Sequence, residues 1–179
     1  MILLTVVFLL LGILLIVLQT SVLQMLPGEF ARPDLVYLLV AFAAYRLPWL
    51  PGILLAFTVG WILDVLVGVN LGVYPLQFLL VFVCLKFATL NSPVKESAYQ
   101  IPMIGVSYFL LKMLSYIVSS MTIQYERLPE WSWVGIIQQT LLLVIAAIPC
   151  FLLFNCLYEY LLTRAARSRP ARRRVRKHL

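Results

Sequence analysis

Residues 60–72 read Gly-Trp-Ile-Leu-Asp-Val-Leu-Val-Gly-Val-Asn-Leu-Gly. Gly60, Asp64, Gly68 and Gly72 recur at every fourth position. On a helix that spacing draws them into one slowly drifting stripe. Three members have no side chain and the fourth carries a charge, within strongly apolar surroundings. An ionisable group at membrane depth costs several kcal/mol unless it is paired or faces protein or water. Glycines on a membrane helix let a second backbone come close. The stripe is therefore expected to pack against protein rather than lipid, and the rest of the chain must supply what it packs on.

The surroundings fix the class. The chain has 179 residues, 63% hydrophobic and 12% charged, with a mean hydropathy of +1.00. A soluble domain carries about 25% charged residues. The apolar residues come in runs of membrane-spanning length, which makes the expected fold an all-α polytopic membrane protein with six transmembrane helices. Residues 1–163 are expected to form the bundle and 164–179 a basic tail. No soluble domain of useful size fits in the loops, so any activity must sit within the bundle or at its rims.

Moving back from the stripe, residues 2–24 form one apolar run. It lacks the basic leader and small-residue cleavage site of a signal peptide and is expected to be a retained span. Pro27-Gly28 breaks the chain. Pro33-Asp34 then opens a second run to about Leu47, and an acid at a helix start complements the helix dipole. That run is only about 21 Å long as a helix, so a five-span chain with residues 35–47 re-entrant stays open beside six spans. The third run extends from Gly52 to about Gly68. Moving forward, the remaining runs cover about 74–90, 101–121 and 134–162, with Pro149 a possible kink in the last.

The net charge of +7 is uneven: eight of the fourteen basic residues lie in the last sixteen, at Arg164, Arg167, Arg169, Arg172, Arg173, Arg174, Arg176 and Lys177. By the positive-inside rule this tail faces the cytoplasm, and six spans put the N-terminus there too. Arg32, Asp34, Gly68, Asn70 and Gly72 then share the outer face, as helix caps or as a docking surface. The tail itself suits contact with anionic lipids or an acidic cytoplasmic partner. Nucleic acid is disfavoured, because no aromatic residue is interleaved with the basic ones.

Depth along the runs places Asp64 about 6 Å to the outer side of mid-membrane and Lys112 near mid-depth. The two are expected to face each other as an intramembrane pair that offsets their burial. The competing reading leaves Asp64 to hydroxyls or water and lets Lys112 reach the interface. Lys86 and Glu159 fall near the inner ends of their spans, where they can pair or each reach the interface alone. Cys84, Cys150 and Cys156 match no metal spacing, and the single histidine is His178. No cofactor and no catalytic residue is expected, since no motif of nucleophile, phosphate loop or metal site is present. The serines at 107, 115, 119 and 120 are expected to hydrogen-bond within or between helices.

Arg32-Pro33-Asp34-Leu35 at the second run, Gly60-x-x-x-Asp64-x-x-x-Gly68, and Leu71-Gly72 entering the fourth run resemble MreD, the rod shape-determining membrane protein family. The likeness is sharpest over residues 32–76. It implies a non-enzymatic protein of the bacterial inner membrane, working in the cell-elongation complex. The implied partner is MreC, and through it the MreB filament, RodA and its penicillin-binding transpeptidase. Arg32, Pro33, Asp34, Asp64, Gly68, Leu71 and Gly72 are the patterned positions, expected to act as fold and docking determinants. The family is similar in fold to the substrate-binding subunits of energy-coupling-factor transporters, which implies the alternative of a solute-binding membrane subunit. Such a subunit needs a polar outward cavity, for which the sequence offers mainly Gln19, Thr20, Gln24, Asp34, Asp64 and Gln138.

Overall fold

A computed structural model describes residues 2–21, 34–68, 72–91, 97–122 and 133–167. They form six helices: α1 (Ile2–Ser21), α2 (Leu35–Arg46), α3 (Trp49–Val67), α4 (Val73–Asn91), α5 (Ser97–Thr122) and α6 (Trp133–Arg167). Five of the six are long and apolar enough to cross a membrane. The protein is an all-α polytopic membrane protein, as its apolar runs lead one to expect. α6 carries Pro149 inside it and continues to Arg167, beyond the expected bundle boundary at 163.

α2 is the exception that organises the bundle. Its 12 residues rise only about 18 Å, against a hydrocarbon thickness of about 30 Å. Val36 through Ala44 are all buried, the pattern of a helix enclosed by others rather than one with a lipid face. α1, α3, α4 and α6 pack around it. Toward its Arg46 end, an aromatic cluster locks three helices together. Phe42 stacks on Phe8 of α1 at 5.7 Å and meets Phe151 and Phe154 of α6 edge-on, each at 5.5 Å. Edge-on and offset contacts of this kind add to what burial alone gives.

α5 stands differently. Its backbone lies against α6 and α4, and it reaches α2 through long side chains. Tyr37 and Tyr108 meet edge-on at 5.0 Å, and the Tyr37 hydroxyl and Ser107 Oγ hydrogen-bond at 2.6 Å.

The stripe that opened the sequence is only half helical. α3 ends at Val67, and Gly68 caps it in the left-handed conformation at φ +66°, its N–H donating to the Asp64 carbonyl at 2.9 Å. Gly72 also has a positive φ, +97°. Among the described residues neither of these glycines receives a neighbouring backbone: a Cβ at either position meets nothing within 4 Å. They are turn formers, where an L side chain is strained. Of the stripe, Gly60 is the glycine that a second backbone approaches, with Pro75 of α4 so near that a Cβ at Gly60 lies 2.7 Å from its Cα. Pro75 fits there because its missing N–H falls in the first turn of α4, where no partner exists.

Candidate functional site

Because α2 is short, its ends lie within the bundle, where helix-end N–H and C=O groups need partners. At the N-terminal end the partner comes from α1. Gln19 Oε1 accepts from the Val36 N–H at 3.5 Å, a long contact, while Gln19 Nε2 donates to Asp34 Oδ1 at 2.9 Å. One amide thus caps α2 and holds the carboxylate that precedes it. At the other end, Lys86 of α4 donates to the Ala44 and Leu47 carbonyls at 3.0 and 2.6 Å. A cation at a helix C-terminus is also favoured by the helix dipole. Lys86 thus serves the end of α2 instead of pairing with Glu159 or reaching the interface, and Glu159 accepts from Asn155 Nδ2 at 3.2 Å.

Asp34 gathers further groups from α5. Tyr108 donates to Asp34 Oδ2 at 2.7 Å, and Lys112 Nζ lies 3.3 Å from the same oxygen. The Lys112 ammonium also sits 5.1 Å from the centre of the Tyr108 ring, within range of a cation–π attraction. The expected pairing of Lys112 with Asp64 is thus corrected: its partner is Asp34. Arg46 and Gln100 line one cavity at the far end of α2, and Asp34 and Lys112 each lie twelve residues from that level, about 18 Å. Asp64, fifteen residues along α3 from Trp49, is at a similar level, but its Oδ2 is taken by the Gly72 N–H, whereas Tyr108, one turn before Lys112 on α5, already meets Asp34.

Asp64 turns elsewhere. It is 3% exposed, and its Oδ2 accepts a short hydrogen bond from the Gly72 N–H. Its Oδ1 has no partner among the described residues. The carboxylate ties the end of α3 to the start of α4.

Between α2, α4 and α5 lies a cavity of about 230 Å³. Asp34 and Lys112 line it, with Tyr37, Tyr74, Gln77 and Ser115. Gln77 Nε2 donates to Ser115 Oγ at 2.8 Å. Such a site can hold a small polar group between an ionic donor, an ionic acceptor and neutral amide and hydroxyl groups. A second cavity, of about 190 Å³, lies at the Arg46 end and is walled mainly by apolar side chains of α2, α5 and α6.

Of the residues singled out from the sequence, the structure brings Asp34 and Lys112 together. It sets Asp64, Gly68 and Gly72 at the α3–α4 connection. Arg32, Pro33 and Leu71 lie outside the described residues, as do Arg169, Arg172, Arg173, Arg174, Arg176 and Lys177. Arg164 is exposed on α6, and Arg167 is the final residue of that helix. Ser107 and Ser115 hydrogen-bond to other helices as expected, while Ser120 bonds within its own. Gln77, Tyr37, Tyr74 and Tyr108 were not legible as site residues. Single polar atoms on otherwise apolar helices carry no spacing signal. Among the described residues no cluster suited to a metal ion is found. No family model, no curated protein and no solved structure matches this chain.

Proposed function

We propose that this chain is a non-enzymatic membrane scaffold of the bacterial cell-elongation complex, resembling MreD, in the inner membrane with both termini cytoplasmic. It binds MreC and through it serves the MreB filament, RodA and its penicillin-binding transpeptidase, supporting lateral wall synthesis and rod shape. Its basic tail contacts anionic lipid headgroups. The observation that carries this reading is how the patterned residues are used. Asp34 and Asp64 bind the chain's own groups, and Gly68 and Gly72, both exposed and with positive φ, stand where α3 ends and α4 begins. The pattern goes into building one end of the bundle, which suits a protein whose partner has most of its mass on that side. Depleting the native copy in a rod-shaped host and supplying this chain tests it. Rescue of rod shape together with co-purification of a single-span partner is expected. Rounded cells despite normal expression count against it.

The solute-binding subunit of an energy-coupling-factor type transporter is kept as the alternative, because the Asp34–Lys112 cavity favours it. Under that reading, loss of the chain leaves cell shape intact and abolishes uptake of one small solute.

A further inference from the structure

A charged pair within a bundle is commonly no more stabilising than well-packed apolar side chains of the same volume. Charged groups facing the interior of a membrane bundle are functional-site candidates with a partner to name. The Asp34–Lys112 pair, moreover, does not fill its space. The cavity beside it, at about 230 Å³, has room for roughly seven to eight water molecules at about 30 Å³ each, or for a polar group with about as many heavy atoms.

The wall of this cavity has unused bonding capacity. Each side chain of the pair is 32% exposed. Lys112 has three donors, of which one is directed at Asp34. Asp34 Oδ1 accepts from Gln19 alone among the described residues, and a carboxylate oxygen takes two bonds. Gln77 is 5% exposed and directs its Nε2 to Ser115, which leaves its Oε1 as a neutral acceptor in the same wall. A lone anion here meets Asp34 as well as Lys112, and a lone cation meets Lys112 as well as Asp34. A group carrying both charges, two or three atoms apart, meets each with its opposite.

We infer that this cavity binds a small zwitterionic group, with its oxyanion on Lys112 and its ammonium on Asp34 and Gln77. The shared chemistry is an aminoalkyl phosphate or amino acid. It comes either from a soluble molecule or from the headgroup of a phosphatidylethanolamine lipid that reaches the cavity between α4 and α5. Those two helices make few backbone contacts with each other. The inference is independent of the scaffold reading, since a scaffold holding a lipid and a transport subunit holding a solute both use such a site.

Thermal unfolding of the full chain in detergent, with added O-phosphoethanolamine, provides the first arm. A rise in unfolding temperature is expected, with little change from glycerol 3-phosphate or ethanolamine alone. In the second arm the chain is placed in nanodiscs of mixed phosphatidylethanolamine and phosphatidylglycerol, and retained lipid is read by native mass spectrometry. A response in the first arm alone marks a soluble ligand, and selective retention of phosphatidylethanolamine marks a lipid. Lys112→Met is expected to weaken either response by about tenfold or more. Gln77→Leu, which leaves the ion pair in place, is expected to weaken it less, and it decides the matter if Lys112→Met does not fold. Silence in both arms overturns the inference. So does an equal response to glycerol 3-phosphate, or a response that neither variant changes.

Discussion

Asp34 and Asp64 are two carboxylates in one apolar bundle, and they are handled in opposite ways. Asp64 is spent locally: its buried side chain takes the Gly72 N–H eight residues on, and its backbone carbonyl takes the Gly68 N–H four residues on. Asp34 is spent across the fold, on Gln19 of α1 and on Tyr108 and Lys112 of α5, up to 78 residues away. The first closes a turn, and the second holds three helices around a cavity. Lipid gives membrane helices no hydrophobic drive toward one another, so packing and hydrogen bonds must set the arrangement. The local carboxylate fixes a connection, while the distant one fixes where α5 stands.

Substitutions separate these two regions, and the largest effect is expected on the local side. Gly60→Leu drives a side chain into the Pro75 backbone, where no flexible atom can yield. Overpacking usually costs 1–3 kcal/mol and more where the backbone is fixed. Size-exclusion chromatography of detergent extracts should show little monodisperse protein. Lys86→Met comes next. It strips two carbonyls at the end of α2 of their charged donor, and a loss of about 1.5–3 kcal/mol is expected from the thermal unfolding curve. Asp64→Ala should cost about 1–2 kcal/mol by leaving the Gly72 N–H without its acceptor, whereas Asp64→Asn, which keeps an acceptor, should cost less. Equal losses would mean that the charge matters there, against the view of Asp64 as a turn closer. The smallest effect belongs to the distant pair. A double-mutant cycle on Asp34→Asn and Lys112→Met should return a coupling of at most about 1 kcal/mol, because both side chains are a third exposed and solvent screens them. A coupling near zero, with each single variant still destabilised, would assign the work of Asp34 to Gln19 and Tyr108 instead.

This division also marks what the sequence made legible. The α3–α4 connection was visible because its parts are consecutive: glycines at fixed offsets, an acid among them, then an apolar run. The helices were visible from apolar length, and the doubt over residues 35–47 came from the same measure that makes α2 an enclosed helix. The stripe and the partner of Lys112 are where the structure departs from the sequence. Helical spacing was carried through Gly68 to Gly72, past the point where the left-handed cap ends α3. The Asp34 site was half visible, as an acid at a helix start and a lysine at mid-depth. Which acid meets Lys112 depends on which carboxylate α5 reaches and which is already engaged, and both are set by groups distant in the sequence. Gln19 and Lys86 had no periodicity to betray them, since each acts by reaching the end of a helix it does not belong to.

The reach of Lys86 bears on how such a chain is made. α2 is followed in the chain by α3, while the residue that satisfies its C-terminal carbonyls is supplied by α4. A helix of 12 residues is too short to be held across a bilayer by hydropathy alone. During biosynthesis α2 is therefore expected to lack a stable position of its own until α4 has left the ribosome, and to stay at or near the interface until then. A nascent chain stalled after α3 should leave a cysteine placed in α2 open to a water-soluble thiol reagent, and one stalled after α4 should protect it.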